Sequence, residues 1–275
     1  MKYSIAISPC PNDTFIFYAL IHQKIKLENI DFLFSFKDIE ELNLATINQN
    51  FDLCKISYAL IPKIAQSYNL LSAGGALGNG CGPLLISHEK DLTLEPIHTV
   101  VLPGENTTAY ALFRHFYPTI NKTAHQLFSK IESALQQHKY DAGVIIHEGR
   151  FTYSEKDLFL ITDLGNLWEN TYQLPIPLGG IVIKNRINLD IQHQINKAII
   201  KSIEYAWANV DEVLTYCKSH AQELSKEVIM SHIELYVNRF SLNIGIEGKH
   251  AVKKLFAYQR DENSCNFASE IKFID

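Results

Sequence analysis

Several absences narrow what this chain can be. No Lys/Arg run exceeds a short pair such as Lys253-Lys254, and the formal net charge over 275 residues is -5. Both argue against a nucleic-acid surface, which needs clustered positive charge. No apolar run reaches the roughly 18 residues of a membrane span. The amino terminus, Met1–Ser8, holds too short an apolar stretch for a signal peptide. Cysteine is scarce: the five (Cys10, Cys54, Cys81, Cys217 and Cys265) include no C-x-x-C pair. An odd, unpatterned set fits a reducing compartment better than a disulfide framework. The expectation is a cytoplasmic protein with no membrane or nucleic-acid partner, in which the Asn-x-Thr matches at Asn12, Asn106 and Asn121 are accidental.

What is present reads as strand then helix, repeated. Tyr3–Ile7 is a short apolar strand, followed by a turn through Ser8–Asp13 and a buried helix over Thr14–Ile21. Asp31–Phe36 alternates as a strand, and Asp38 caps a helix over Ile39–Gln49 with Glu41 as its capping-box partner. Phe51–Ile56 is the next strand and Tyr58–Gln66 the next helix. Five glycines between Gly74 and Gly82 then precede the apolar run Leu84–Ser87. They lack the G-K-[ST] ending of a phosphate loop and do not match G-x-G-x-x-G, so a hinge or close-packing role is expected.

A second series runs through a strand at Thr99–Leu102, helices over Thr107–Tyr117 and Ala124–Gln137, and an apolar strand at Ala142–Ile146. Further strands are expected at Phe159–Leu164 and Ile181–Lys184, and from Asp190 to about Ala257 the pattern is helical. Such alternation predicts an α/β protein with largely parallel sheets. Two series imply two lobes, a larger one of 1–90 plus 180–275 and a smaller one of 91–179. Crossovers near Leu85–Glu95 and Leu174–Gly180 would leave a central cleft between them.

In parallel sheets, ligands sit beyond the carboxyl ends of the strands. Four polar junctions occupy those positions: Ser8–Thr14, Lys55–Ser57, Gly104–Thr108 and His147–Arg150. Two of them open helices, whose free N–H groups favour a carboxylate or phosphate. Asn12, Asp13 and Thr107 fit two roles, helix cap and ligand contact. Cys10, between Pro9 and Pro11, fits an inert buried thiol and, less readily, a nucleophile. Lys55 ends an apolar strand, where an ammonium needs an anion or water.

His147 is the sharpest candidate. It closes a buried strand ahead of Glu148, Gly149 and Arg150, and imidazole exchanges protons near neutrality. A structural histidine is the alternative. The remaining histidines lie in helical or loop patterns that suit surface positions. No zinc site is expected, since His147-Glu148 is not followed by a histidine at helical spacing and no His/Cys cluster stands beside it in sequence.

The junctions carry a resemblance. Ser8-Pro9-Cys10-Pro11-Asn12-Asp13-Thr14-Phe15-Ile16-Phe17 is similar to the amino-terminal signature of the 1,4-dihydroxy-6-naphthoate synthase family, from the futalosine route to menaquinone. The likeness continues through Lys55-Ile56-Ser57-Tyr58, Ser72–Gly78, Thr107-Thr108-Ala109-Tyr110, Ile145-Ile146-His147-Glu148, Arg150–Tyr153, Leu174–Gly179, Tyr236–Asn238 and Phe240–Leu242. Ile56 and Gly149 stand where leucine and serine are expected in relatives.

The resemblance implies a two-lobed, periplasmic-binding-protein-like (type 2) fold. It implies conversion of cyclic dehypoxanthinyl futalosine to 1,4-dihydroxy-6-naphthoate with release of dihydroxyacetone, a carbon–carbon lyase reaction. It makes His147 the general base, places Lys55, Ile56, Ser57, Thr107 and Thr108 against the small-molecule substrate, and requires no metal or organic cofactor. Ser8, Cys10, Asn12, Asp13 and Arg150 are further cleft candidates. The rivals are chorismate dehydratase, which shares the fold and a carboxylate substrate, and a solute-binding receptor without catalysis.

Overall fold

The computed structural model describes residues 1–90, 92, 97–221, 225–263 and 271–275. The chain opens with β1 (Lys2–Ile7) and turns at once into α1 (Pro11–Ile21). The helix begins three residues before the expected Thr14 because Pro11 stands in its first turn. There a fixed φ suits the helix and the missing N–H has no partner to lose. β2 (Asp31–Phe36) and α2 (Ile39–Ile47) follow as expected, and Asp38 with Glu41 closes the capping box. β3 (Leu53–Ser57) takes in the Lys55–Ser57 junction itself. A 3-10 turn at Tyr58–Leu60 and the short α3 (Ile61–Ile64) replace the single helix expected through Gln66. β4 (Tyr68–Leu71) and β5 (Ala76–Gly78), neither foreseen, frame the first glycines.

The chain then crosses to a second sheet. β6 (Leu84–Ser87) and β7 (Val100–Leu102) lead to α4 (Thr108–Phe116), β8 (Thr123–His125), α5 (Phe128–Gln136) and β9 (Ala142–Ile145). After α6 (Gly149–Thr152) come β10 (Phe159–Asp163) and α7 (Leu164–Tyr172). The strand order is β10-β6-β9-β7-β8, parallel across β9, β7 and β8 and antiparallel at β6 and β10.

Two expectations are corrected here. Ala124–Gln137 is not one helix, because Thr123–His125 pairs with β7 and the helix starts only at Phe128. Leu84–Ser87, expected in the larger lobe, belongs to this second sheet. The crossing therefore lies between β5 and β6, ahead of Leu85–Glu95, of which residues 91 and 93–95 lie outside the described set.

β11 (Ile176–Lys184) returns to the first sheet five residues before the expected Ile181. It runs antiparallel to β3, β4 and β5, so the sheet is mixed where a largely parallel one was expected. Pro177 stands beside a register shift in this strand, where a missing donor does least harm. The rest is helical, as the pattern predicts: α8 (Leu189–Ala208), α9 (Val210–His220), α10 (Lys226–Tyr236), α11 (Arg239–Leu242) and α12 (Gly245–Asn263). β12 (Phe273–Ile274) pairs in parallel with β4 to finish the sheet. Among the described residues no helix is long and apolar enough to cross a membrane.

Phe15, Phe17, Ile199 and Ile203 bury one face of the first sheet under α1 and α8. Each such side chain contributes about 1.5–3 kcal/mol by leaving water. A second core joins the two sheets, from Ile56 and Tyr58 to Val100, Leu112 and Trp168.

The crossing itself is tight. A Cβ on Gly82 would lie 2.3 Å from the Cα of Gly165, so two backbones touch where no side chain fits. Arg150 pins the same place, donating to the Gly82 carbonyl at 2.7 Å and to Asp163 at 2.6 Å, while Asp163 caps α7.

Candidate functional site

The β1–α1 turn, β3, the start of α4 and the end of β9 converge on one cavity. Ser8, Asn12, Asp13, Lys55, Ser57, Thr107, Thr108 and His147 all line it. Three other candidates do not. Ile56 points to the opposite face of β3, into the core, as strand alternation requires. Arg150 is engaged at the crossing. Cys10 lies behind the cavity wall, 4% exposed.

The floor is a polar network. The Asp13 carboxylate is fully buried and accepts from Lys55 Nζ at 2.7 Å and from Asn12 Nδ2 at 3.0 Å. It also accepts from the Ser8 N–H at 3.1 Å and the Ser8 hydroxyl at 2.8 Å. This answers the question Lys55 posed: its ammonium, buried at a strand, meets an anion.

Asn12 carries the network on, accepting from His232 Nε2 at 3.1 Å, which fixes the tautomer with the proton on that nitrogen. His232, in α10, is fully buried, and its pKa is pushed well down by burial and by neighbouring His147 and Lys55. It corrects the surface role expected for the other histidines. One signal was present in sequence: His232 shares a helical face with Ile229, Ile233 and Tyr236, all buried.

The opposite wall is the start of α4. Thr107 caps the helix, accepting from the Tyr110 N–H and donating to the Gly104 carbonyl. The Thr108 hydroxyl donates to the Leu178 carbonyl at 2.8 Å and accepts from the Ala59 N–H at 3.3 Å. Both hydroxyls are thus occupied by protein, and Thr108 ties the second sheet's helix to the first sheet. The backbone N–H groups at Thr108 and Ala109, which have no helical acceptor, remain for an anion.

Residues missed in sequence hold this wall. Glu40 accepts from the Asn106 side chain at 2.6 Å and from its N–H, Lys63 donates to Asn106 Oδ1 at 2.6 Å, and Asn43 bridges Ser57 to the Asn106 carbonyl. Burial raises the Glu40 pKa. Gly104, at φ +152°, passes so close that a Cβ would sit 2.6 Å from the Glu40 carboxyl.

His147 differs from all of these. It leaves β9 in the left-handed region at φ 59°, with Phe128 edge-on to its ring at 4.8 Å. Its Nε2 is buried without a hydrogen-bond partner. Burial lowers its pKa to about 4, with Lys55 adding to the effect and Asp13 opposing it, so the ring is neutral at cellular pH. Glu148 Oε2 is likewise buried without a partner, and burial with nearby Glu132 raises that carboxyl's pKa.

Two sheets joined by two crossings, with a cavity where the lobes meet, define the two-lobed periplasmic-binding-protein fold. A ligand-binding component of an ABC-type import system from Staphylococcus aureus matches at TM-score 0.71 and 11% identity, covering 100% of this chain and 96% of its own. A Candida albicans protein of that generic fold matches at TM-score 0.69 and 12% identity, over 100% and 98%. A protein from Archaeoglobus fulgidus superposes at TM-score 0.91 with 28% identity, over 96% of this chain and 98% of its own.

The chain belongs to the menaquinone-biosynthesis family, whose model matches residues 3–261. Two relatives are named 1,4-dihydroxy-6-naphthoate synthase. The one from Thermus thermophilus is 40% identical over 92% of each chain, and the one from Streptomyces coelicolor is 38% identical over 91% of this chain and 90% of its own. The chain is an enzyme of that family.

Proposed function

We propose that this enzyme converts cyclic dehypoxanthinyl futalosine to 1,4-dihydroxy-6-naphthoate, releasing dihydroxyacetone as a carbon–carbon lyase, with His147 as general base. The observation that carries the reading is a neutral imidazole, with a buried nitrogen lacking any partner, on the wall of the one cavity where the family's motifs meet. Loss of a carbon fragment with aromatisation begins with removal of a proton. A neutral imidazole offers one lone pair for that step, and burial keeps it unprotonated. The α4 N–H groups suit the substrate carboxylate, while the Asp13–Lys55 network holds the floor at no net charge. Confinement between two walls holds the reacting bond near the base and limits water.

The test is incubation of purified protein with cyclic dehypoxanthinyl futalosine, following naphthoate absorbance. Turnover lowered by a factor of about 10²–10⁴ in His147→Gln is expected. Naphthoate formation at the wild-type rate in that variant would remove the base assignment, and no naphthoate with wild-type protein would remove the reaction.

A further inference from the structure

We propose that Cys10, His147 and Glu148 form a binding site for Zn²⁺. The thiol sulfur, one imidazole nitrogen and one carboxylate oxygen lie within 4.8 Å of one another. Bonds of about 2.0–2.3 Å to zinc set tetrahedral edges near 3.3–3.7 Å. A contraction of at most about 1–1.5 Å closes the set around an ion. The two residue types that make zinc sites selective, thiolate and imidazole, are both present, and this mixture is wrong for Mg²⁺ or Ca²⁺.

Two orphaned atoms point the same way. His147 Nε2 and Glu148 Oε2 are both buried without a hydrogen-bond partner. Buried polar atoms in a folded protein nearly always have one. A cation in the triad would be held by these same two side chains. It also settles the charges: a thiolate and a carboxylate neutralise Zn²⁺, and the imidazole stays neutral.

The frame is stiff. Cys10 sits between Pro9 and Pro11 as the residue before α1, and His147 is held in the left-handed turn after β9. A second cavity, on the far side of Ile146, is lined by the carboxylates of Glu132, Glu148 and Glu155 against the single ammonium of Lys156. The fourth coordination position falls to water or a ligand oxygen.

The absence of a zinc motif in sequence is no obstacle. The ligands come from two strand-end junctions far apart in the chain, which only the fold brings together. The site itself stands on this geometry. Its consequence for turnover rests on the reading of His147 as base, because a neutral imidazole has one lone pair, and a ring bound to Zn²⁺ has none left for a substrate proton.

Titration of the full chain with Co²⁺ as a spectroscopic probe tests the site without any turnover. One equivalent is expected to bring up the near-ultraviolet band of a cobalt–thiolate bond, and Zn²⁺ to displace it. Cys10→Ser, checked for native circular dichroism, should lose the band. It should also weaken Zn²⁺ binding in calorimetry by more than the roughly 10–100-fold typical of an outer-shell loss. Glu148→Gln should weaken it while keeping the band. Wild-type protein that binds no Co²⁺, or binds it without a thiolate band, overturns the proposal even if Cys10→Ser fails to fold. Equal Zn²⁺ affinity in Cys10→Ser overturns it too. Zn²⁺ that fills the site yet leaves turnover unchanged would instead overturn the base assignment for His147 and leave the metal site standing.

Discussion

The cavity has two polar corners, and they are built on opposite principles. At the Asp13 carboxylate the matching is complete: Lys55, Asn12 and Ser8 together supply four donors. Around His147, two buried atoms have none, and Nδ1 of the neighbouring His232 is a third. Burying a polar atom without a partner costs about 1–3 kcal/mol, so an unmatched corner persists only where the rest of the fold sustains it. The matched corner is built as scaffold, and the unmatched corner is where the proposed base stands.

The largest effect should come from breaking the matched corner. Asp13→Ala leaves the Lys55 ammonium buried and unpaired, and a loss of about 3–5 kcal/mol in urea unfolding is expected. A loss below about 1 kcal/mol would mean that water reaches Lys55 and that the two corners are less different than they look.

At the unmatched corner the outcome should invert. His147→Gln should lower kcat by a factor of about 10²–10⁴ while changing the unfolding midpoint little, since no hydrogen bond is lost. A stability loss as large as that of Asp13→Ala would make His147 scaffold as well.

Thr108→Val tests the tie between the walls. It removes a donor to the Leu178 carbonyl and an acceptor for the Ala59 N–H, with an expected cost of about 1–3 kcal/mol and a rise in KM from the loosened α4. An unchanged KM would separate the tie from substrate binding.

The smallest effect concerns pH. The His147 pKa, about 4 in the folded chain, lies below its ordinary 6.5. The unfolded chain therefore takes up the proton first as pH falls, and stability contributed here declines from 6.5 downward through about 4. Turnover should hold across neutral pH and lose its base only as the ring protonates near 4. An acid limb near 6.5 in the kcat profile would contradict the buried setting of the imidazole.

The difference between the corners also marks what could be read from sequence. Local rules sufficed for β1, for the Asp38–Glu41 capping box and for the polar residues at strand ends, because neighbours in the chain decide those. They failed at Thr123–His125, a three-residue strand that exists because β7 lies beside it. They failed at Ile176–Gly180 too, where Pro177 and two glycines hide the first half of a strand selected by its partners. At the site, most of the lining was legible, yet the partners were not. Nothing in the sequence couples Lys55 to Asp13, Glu40 to Asn106 or Cys10 to Glu148, since each pair is joined only by tertiary packing. Ile56 was misplaced for a simpler reason, as it was credited with the direction of Lys55 and Ser57 although strand neighbours face opposite ways.

Gly82 and Gly165 meet backbone to backbone at the crossing, with 2.3 Å between a would-be Cβ on one and the Cα of the other. That contact has a heritable consequence. Neither position can drift alone, because even a single methyl group at one displaces the main chain of the other, and with it the Asp163 cap and the strand leading into the second sheet. Two loci far apart in the gene are therefore frozen as one character. Among remote descendants in which the chemistry has changed and His147 is gone, this pair of glycines should outlast the base as a record of common ancestry.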